Sequence, residues 1–443
     1  MFRIAVCLLA FAVSPLAGPL FAQDVDLAER VRRLEESLAE ERARSQARDK
    51  RIDELEESLA KATDTLAQSM DRSALEEEID RYLEENPAAP VPDRESRLSI
   101  GAVIAGSFLA TKFSDDTRST NTFLLDESYI RLVYRFNEEL TARYYTDGTL
   151  AELEYSPNEL TRFNIGRIVV PFGQFNQRSF IDTFDTLSRP LLYSGDTDIF
   201  FTPPNHPREV FRTIYSDTGI VLSGSKWQGR NQLYYAAFLT NGLTGTDDLG
   251  SGASFSDNNA NKQIGARATY TLARGELKRY GFGVSWMTGK YDSDNSLSYR
   301  MYGADLLMVF DQVFGPDGSL TFRAEYVYAP RETRYPVAGD PNSTINDAKR
   351  VQGAYLIIEA RPNPKWLYYT ALDWLSQRAP ELTDGAQDPD NSGPVTTRIW
   401  RIAVGVTRRF EIGILWKLEY SYWNYDLGEP SAHRVGTQVV IPF

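Results

Sequence analysis

The sequence is poor in the residues on which most site chemistry depends. Among 443 residues there is one cysteine, Cys7, and there are two histidines, His206 and His433. Cys7 falls inside the leader segment described below, so the chain after it carries no thiol, which excludes disulfides, thiolate catalysis and cysteine metal sites. Neither histidine has a partner at metal-ligand spacing. No serine, histidine and aspartate arrangement pairs a nucleophile with a base. No metal, cofactor or enzymatic activity is therefore expected. The chain also lacks any run near the ~20 apolar residues that a membrane helix needs. It lacks a net positive charge as well: the formal net charge is −13, and nothing points to nucleic acid as a partner.

What the chain does have is aromatics, at 12% with 24 Tyr, 23 Phe and 7 Trp. Mean hydropathy is −0.38. That value does not exclude a transmembrane barrel, whose alternating strands average to a polar figure. The acidity is uneven. Residues 1–95 carry 13 basic and 22 acidic side chains, against 35 and 39 in the rest.

The first residues, "MFRIAVCLLAFAVSPLAGPLFAQ", place Arg3 before a short apolar stretch, Ile4 to Val13. Pro15, Gly18 and Pro19 then break it, and Ala22 is the expected cleavage position. This is the layout of a secretory signal peptide over 1–22. From Asp24 to about Met70 a narrow apolar stripe runs along a charged helix. Val31, Ile52 and Leu59 fall at heptad position a, and Leu34, Leu55 and Ala62 at d, the seam of a self-associating coiled coil of two or three strands. Ser73 and Glu76 form a capping box for a short helix through Glu85. Residues 23–86 are thus expected to be a periplasmic coiled coil and short helix, followed by a Pro-rich linker over 87–95.

From Leu98 the period changes from helical to two. "YIRLVYRF" sets Ile130, Leu132, Tyr134 and Phe136 against Arg131, Val133 and Arg135. "QIGARATYTL" sets Ile264, Ala266, Ala268 and Tyr270 against Arg267, and "SLTFRAEYVY" sets Leu320, Phe322, Ala324 and Tyr326 against Arg323 and Glu325. "IWRIAVGVTRRF" and "IGILWKLEYSYW" repeat the pattern around Arg401, Lys417 and Glu419. These runs approach ten residues, the length a tilted strand needs to cross a bilayer. Seven short turns, at 137–138, 156–159, 225–230, 273–277, 314–318, 362–365 and 410–411, alternate with connections that, except near Asp147–Gly148, are long, at 111–121, 171–210, 241–261, 292–296, 331–348, 376–395 and 426–431. The strands around 150–170 are weakly patterned. Short turns at one end and long loops at the other are the asymmetry of an outer-membrane barrel. The expectation is an all-β, transmembrane antiparallel barrel of about sixteen strands over 96–443, behind an α-helical coiled coil. The third long loop, 171–210, has enough aromatics to pack into the lumen.

"FNIGRIVVPFGQFN", "SDTGIVLSG" and "LYYAAFLTNGLTG" resemble the corresponding segments of the phosphate-selective porin O/P family, with Gly166-Arg167, Pro171-Phe172-Gly173, Asn176 and Asn241-Gly242 carrying the likeness. The resemblance implies a trimeric outer-membrane porin. Its water-filled channel would pass small hydrophilic solutes, anions such as phosphate among them. The expected partners are outer-membrane lipid, two further copies of the chain, barrel-assembly machinery and the permeating solutes.

The lumen-side basic residues, expected to line the pore, are Arg131, Arg135, Arg143, Arg267, Arg323, Arg401 and Lys417, with Asp305, Glu325 and Glu419 interleaved. Charged residues of the long loop, Arg178, Asp182, Asp185, Arg189, Arg208 and Arg212, form either a constriction that sorts solutes by charge or a self-neutralised loop. The final "RVGTQVVIPF" alternates to a terminal Phe443, which resembles an outer-membrane assembly signal. An alternative function is structural, with the coiled coil spacing the outer membrane from the cell wall. A third reading is a soluble secreted β-protein with an oligomerising stalk.

Overall fold

The computed structural model describes residues 97–443 except 116–118, 179, 194–209, 212–213, 246–248, 254–256, 258, 276, 338–339, 380–394 and 427–429. The expected signal peptide, coiled coil, short helix and linker lie outside the described residues, as do Arg208 and Arg212 of the long loop.

The described chain is almost entirely strand. In order come β1 (Leu98–Phe113), β2 (Ser119–Arg135), β3 (Leu140–Tyr145), β4 (Ala151–Asn158), β5 (Thr161–Val169) and β6 (Ser216–Gln228). They are followed by β7 (Asn231–Thr240), β8 (Leu243–Gly245), β9 (Leu249–Ala253), β10 (Gln263–Arg274), β11 (Lys278–Lys290) and β12 (Ser298–Asp311). The last are β13 (Ser319–Val337), β14 (Asp340–Asn363), β15 (Trp366–Ala379), β16 (Val395–Arg409), β17 (Leu415–Tyr425) and β18 (Ala432–Pro442). Strands β8 and β9 make a separate hairpin, and the other sixteen close into one antiparallel barrel in which β7 pairs with β10 and β1 with β18.

Two rules of sequence build this shell. The first is period two. Ile130, Ile264, Tyr270, Phe282, Val284, Tyr326, Trp400, Ile402, Leu418, Tyr420, Val435 and Val439 are exposed on the outer face, while their neighbours in sequence point inward and are mostly buried. The apolar outer surface and charged interior invert the layout of a soluble domain. The second is turn chemistry. At the short-turn end Asn137 Oδ1 accepts the Glu139 and Leu140 N–H groups at 2.9 and 2.7 Å, and Asn363 Oδ1 accepts those of Lys365 and Trp366 at 3.0 and 3.1 Å. An Asx side chain thereby substitutes for a backbone acceptor and reverses the chain at once.

The structure departs from the sequence reading in two places. The expected loop over 331–348 is instead a continuation of β13 and β14, which stay paired from Arg331↔Lys349 to Val337↔Asp340, beyond the last β12 pairing at Arg331. Backbone pairing between the two strands continues through this polar stretch, so the hairpin extends until its turn. The weakly patterned stretch 150–170 does form strands, but β4 and β5 are short at eight and nine residues, as is the preceding β3 at six.

The seam between β1 and β18 runs from Val103↔Pro442 to Phe113↔Ala432. Beyond it the Phe443 N–H donates to the Ala102 carbonyl at 2.8 Å and the Ala102 N–H to the Phe443 carbonyl at 3.3 Å. Phe443 itself is 72% exposed. Deleting it removes the last rung of the seam and an outer-face aromatic but no interior contact. We expect the deletion to lower the yield of folded barrel at least severalfold, read by heat-modifiable gel mobility, while the melting temperature of the folded fraction changes little. Equal folded yields from both chains would remove any assembly role for Phe443.

Candidate functional site

A sixteen-stranded barrel is wider than its wall side chains can fill. Here the chain leaving β5 at Val169 turns into the lumen and returns at Ser216, and its described residues are among the most buried in the molecule. Phe172, Phe175, Ile181, Phe184, Leu191, Leu192, Tyr193, Phe211 and Tyr215 join one apolar cluster with Met287, Met301, Val327, Tyr355, Leu375, Ile399 and Trp423 of the inner wall. Each fully buried aromatic of this set contributes roughly 2–3 kcal/mol relative to exposure. The inner wall thus gives the loop an apolar surface to rest on, beside the charged side chains described next.

The base of the loop is stitched by one side chain. Asn176 Nδ2 donates to the Val170 and Tyr215 carbonyls, both at 2.9 Å, and its Oδ1 accepts the Tyr215 N–H at 2.8 Å. It thus ties the outgoing chain to the returning one. Ahead of it Gly173 sits at φ 66, and a Cβ there would fall 2.0 Å from Glu325 Oε1 and 2.3 Å from the Tyr193 hydroxyl. Only glycine fits.

Glu325 on β13 is the first anchor. Its carboxylate accepts the Gln174 and Phe175 N–H groups, both at 3.1 Å, the Tyr355 hydroxyl at 3.0 Å and the Tyr193 hydroxyl. Burial pushes the Tyr193 hydroxyl well above its ordinary pKa, and the charge of Glu325 adds to this, so it remains a donor. The second anchor spans β15 to β18. Asp373 accepts the Leu191 N–H at 3.2 Å and two hydrogen bonds from Arg401 at 2.8 and 2.9 Å, while Arg401 also donates to the Arg189 carbonyl at 2.7 Å. Glu419 accepts the Ser188 N–H at 3.1 Å, the Ser188 hydroxyl, and the Tyr369 hydroxyl at 2.8 Å. Lys417 is fully buried. Its ammonium donates to the carbonyls of Ile181, Phe184 and Thr186 at 3.2, 3.0 and 3.1 Å, and it lies 4.5 Å from the Phe184 ring centre. The third anchor is β2, where Glu127 pairs with Arg189, and Arg131 pairs with Asp182 while lying over the Tyr129 ring at 5.3 Å.

The sequence-predicted residues therefore fall into groups. Arg267, Arg401 and Lys417 are buried beneath the loop, Arg267 holding Asp305 at 2.6 and 3.1 Å. Arg131 joins wall to loop. Arg143 and Arg323 stand on the open lumen wall, paired with Glu152 and Glu154 and with Glu359. Arg135 is exposed at the short-turn end, with no ion pair among the described residues. In the loop, Asp182 and Asp185 pair with wall arginines, Asp185 with Arg361 at 2.9 Å and Arg409 at 3.6 Å. Arg178 donates to the Thr183 carbonyl at 3.0 Å, and burial together with the Arg323 charge lowers its pKa. Among the described residues, Asp182, Asp185 and Arg189 of the loop thus meet wall charges, while Arg178 bonds a carbonyl of the loop itself. Sequence reasoning missed Glu127, Asp373, Tyr369, Arg361 and Arg409. Strand parity puts all five on the inward face, Glu127 in step with Tyr129 and Arg131 after the register shift in β2, and that was the available signal.

The open lumen wall has a consistent polarity. Arg143 is 29% exposed against 9% and 13% for Glu152 and Glu154, and Arg162 is 51% exposed against 13% for Glu154. Arg361 and Arg409, at 28% and 48%, cover Asp185 at 12%. In these pairs the guanidinium is the more exposed partner and the carboxylate the more buried.

No family model matches the chain, and no curated protein matches it. Solved structures do. The barrel is similar to an anion-selective porin from Comamonas acidovorans, with TM-score 0.50 and 9% identity over 78% of this chain and 99% of that one. It is also similar to the outer membrane channel DcaP of Acinetobacter baumannii, with TM-score 0.46 and 12% identity over 78% and 97% of the two chains. A third is the outer-membrane OmpT of Vibrio cholerae, with TM-score 0.45 and 11% identity over 78% and 97%. At such identity the first likeness establishes one thing: residues 98–442 adopt the fold of an outer-membrane porin.

Two substitutions test the anchoring. Lys417→Met keeps the length and apolar stem of the side chain but leaves three loop carbonyls without their donor, and we expect it to weaken loop docking by roughly 2–4 kcal/mol. Gly173→Ala forces the loop away from Glu325. Both should raise amide hydrogen exchange over 170–193 by at least about tenfold, leaving the β10–β12 amides protected. Unchanged exchange in both variants would contradict the anchoring described.

Proposed function

We propose that the protein is an outer-membrane porin: a water-filled diffusion channel for small hydrophilic solutes, narrowed by the inserted loop and lined so that it favours anions. The supporting observation is the asymmetry of the lumen pairs. A carboxylate set behind its partner neutralises charge without meeting the permeating ion, whereas an exposed guanidinium contributes directly to the local potential. The exposed apolar outer face and the closed edges support a place in a bilayer. The residues carrying selectivity are Arg143, Arg162, Arg323, Arg361 and Arg409, of which Arg143 and Arg323 belong to the set expected from sequence. Arg131, Arg267, Arg401 and Lys417 act by holding the loop in place. Phosphate is one anion such a lining would pass, in keeping with the sequence resemblance to phosphate-selective porins. The channel reading calls for no catalysis and no cofactor.

Self-association fits the same reading. Strands β3 and β4 fall short of the ~9–11 residues that cross a bilayer, yet they expose Tyr144, Leu153 and Tyr155 on the outer face. A low apolar wall of this kind is suited to burial against further copies of the barrel, and a trimer buries it on every copy. Native mass spectrometry should give three copies per particle for the wild type and release monomer from Leu153→Arg. A monomeric wild type would contradict the assignment.

Planar-bilayer recording tests the channel. Under a potassium chloride gradient the reversal potential should indicate chloride preference. The combined Arg361→Gln and Arg409→Gln substitution should move it at least halfway towards the nonselective value without closing the channel. Cation preference in the wild type would overturn the selectivity, and absence of any conductance would overturn the channel.

A further inference from the structure

The outer face of β14, β15 and β16 carries a cluster that neither the lumen nor the barrel shell requires. Arg350 and Arg378 are direct cross-strand partners, and Arg398 lies one rung along, opposite Ser376. All three are exposed. With Tyr328, Gln352, Trp374, Ser376 and Thr396 they surround a cleft of about 290 Å³. Outward parity is fixed by their neighbours: Val351, Leu375 and Ile399 at the intervening positions are buried in the lumen core.

Position along the strands is equally informative. Directly below the arginines comes an aromatic belt. Trp374 and Trp400 pair across β15 and β16 with ring centres 5.9 Å apart, and Tyr302 stacks on Tyr328 at 6.4 Å. Below the belt β16 continues outward with Ile402, Val404 and Val406 until Arg408, which stands over Trp366 and Phe410 at the short-turn end. Aromatic belts mark where hydrocarbon gives way to headgroups. The three arginines therefore lie at headgroup level on the long-loop side.

Three like charges this close repel one another unless an anion sits among them. The charged groups near them are few. Asp426 reaches Arg398 at 3.9 Å, and Glu332 on β13 accepts the Ser298 N–H at 2.7 Å. No hydrogen bond or ion pair joins Arg350 or Arg378 to any described residue. The Gln352 Oε1 is taken by the Tyr326 hydroxyl at 3.0 Å, which leaves its amide N–H₂ free to donate beside the guanidinium groups. Among the described residues the set offers several N–H donors, a single carboxylate at its edge in Asp426, and an apolar floor. That chemistry suits the phosphate of an amphiphile whose acyl chains lie along the aromatic and aliphatic wall below.

We propose that Arg350, Arg378 and Arg398 form a binding site for the phosphorylated headgroup of an outer-leaflet lipid. The proposal rests on the barrel lying in the outer membrane, and its test separates the two. The full-length protein in detergent micelles would be titrated with bisphosphorylated lipid A and with the same lipid dephosphorylated, reading Trp fluorescence and native mass. The phosphorylated lipid should bind, and Arg350→Ala with Arg378→Ala should weaken it by about tenfold or more, the size carried by two charge-assisted contacts. The corresponding double lysine variant should recover most of that loss, and dephosphorylated lipid should bind wild type and alanine variant equally weakly. Binding within about twofold in the alanine variant would overturn the site, as would equal binding of the dephosphorylated lipid. Displacement by equimolar inorganic phosphate would show a free-anion site and overturn the lipid assignment. Conductance of the same preparations reports separately on the channel: an active channel without phosphate-dependent lipid binding overturns this proposal alone.

Discussion

Every N–H and C=O of a segment folded into a barrel has to find a partner away from bulk water, and the apolar side chains it rests on offer none. The long loop meets this constraint with charged wall side chains. Carboxylates of Glu325, Asp373 and Glu419 accept the N–H groups of Gln174, Phe175, Leu191 and Ser188, and the Lys417 ammonium takes three carbonyls. Few neutral side chains could serve several loop groups at once. A carboxylate has about four acceptor sites, and an ammonium has three donors. Charge is here a means of hydrogen-bonding irregular backbone.

Anchoring of this kind carries its own requirement, because a buried charge needs compensation. Asp373 has Arg401, and Asp305 has Arg267. Among the described residues Glu325 has no cation within ion-pair distance but four donors, and Tyr193 among them is kept protonated by its surroundings. Removing one partner from such a set leaves the other charge uncompensated, which is why buried pairs cost more to break than they contribute when intact. The loop is therefore held cooperatively. Its apolar residues supply the driving force, and the charged anchors fix one position for it.

The barrel was legible in the sequence because period two and turn residues act locally. All seven short turns lie where Asn, Gly and Pro put them, and parity assigned the outer face. The 331–348 hairpin was read as a loop because its composition is polar, while pairing with a long antiparallel partner decides its state. The site was less legible, since parity shows that Arg267 and Arg401 point inward but not whether water or a loop meets them there. That depends on contacts between residues more than a hundred positions apart, such as Gly173 with Ser285 and Leu187 with Tyr369. The motif residues Gly173, Asn176 and Gly242 prove to be hinges and stitches of the loop base. Gly242, at φ 100, gives its N–H to Asp217 at 2.6 Å. A likeness carried by such residues speaks to the loop's architecture before it speaks to selectivity.

Arginine works in three settings in this chain, and burial separates them. Under the loop, Arg401 uses its planar fork on Asp373 and one backbone carbonyl, where the geometry is fixed and no water competes. On the lumen wall the same pairing is half-hydrated: the carboxylate is covered and the guanidinium faces water, so the pair is neutral in sum yet basic in the field it presents. At the outer rim no carboxylate of a described residue pairs with Arg350 or Arg378. Lysine would not serve equally in the first setting, since a point charge cannot hold a carboxylate bidentately. Where the chain does use a buried lysine, at Lys417, the partners are three separate carbonyls, which the three donors of an ammonium match and a planar fork does not.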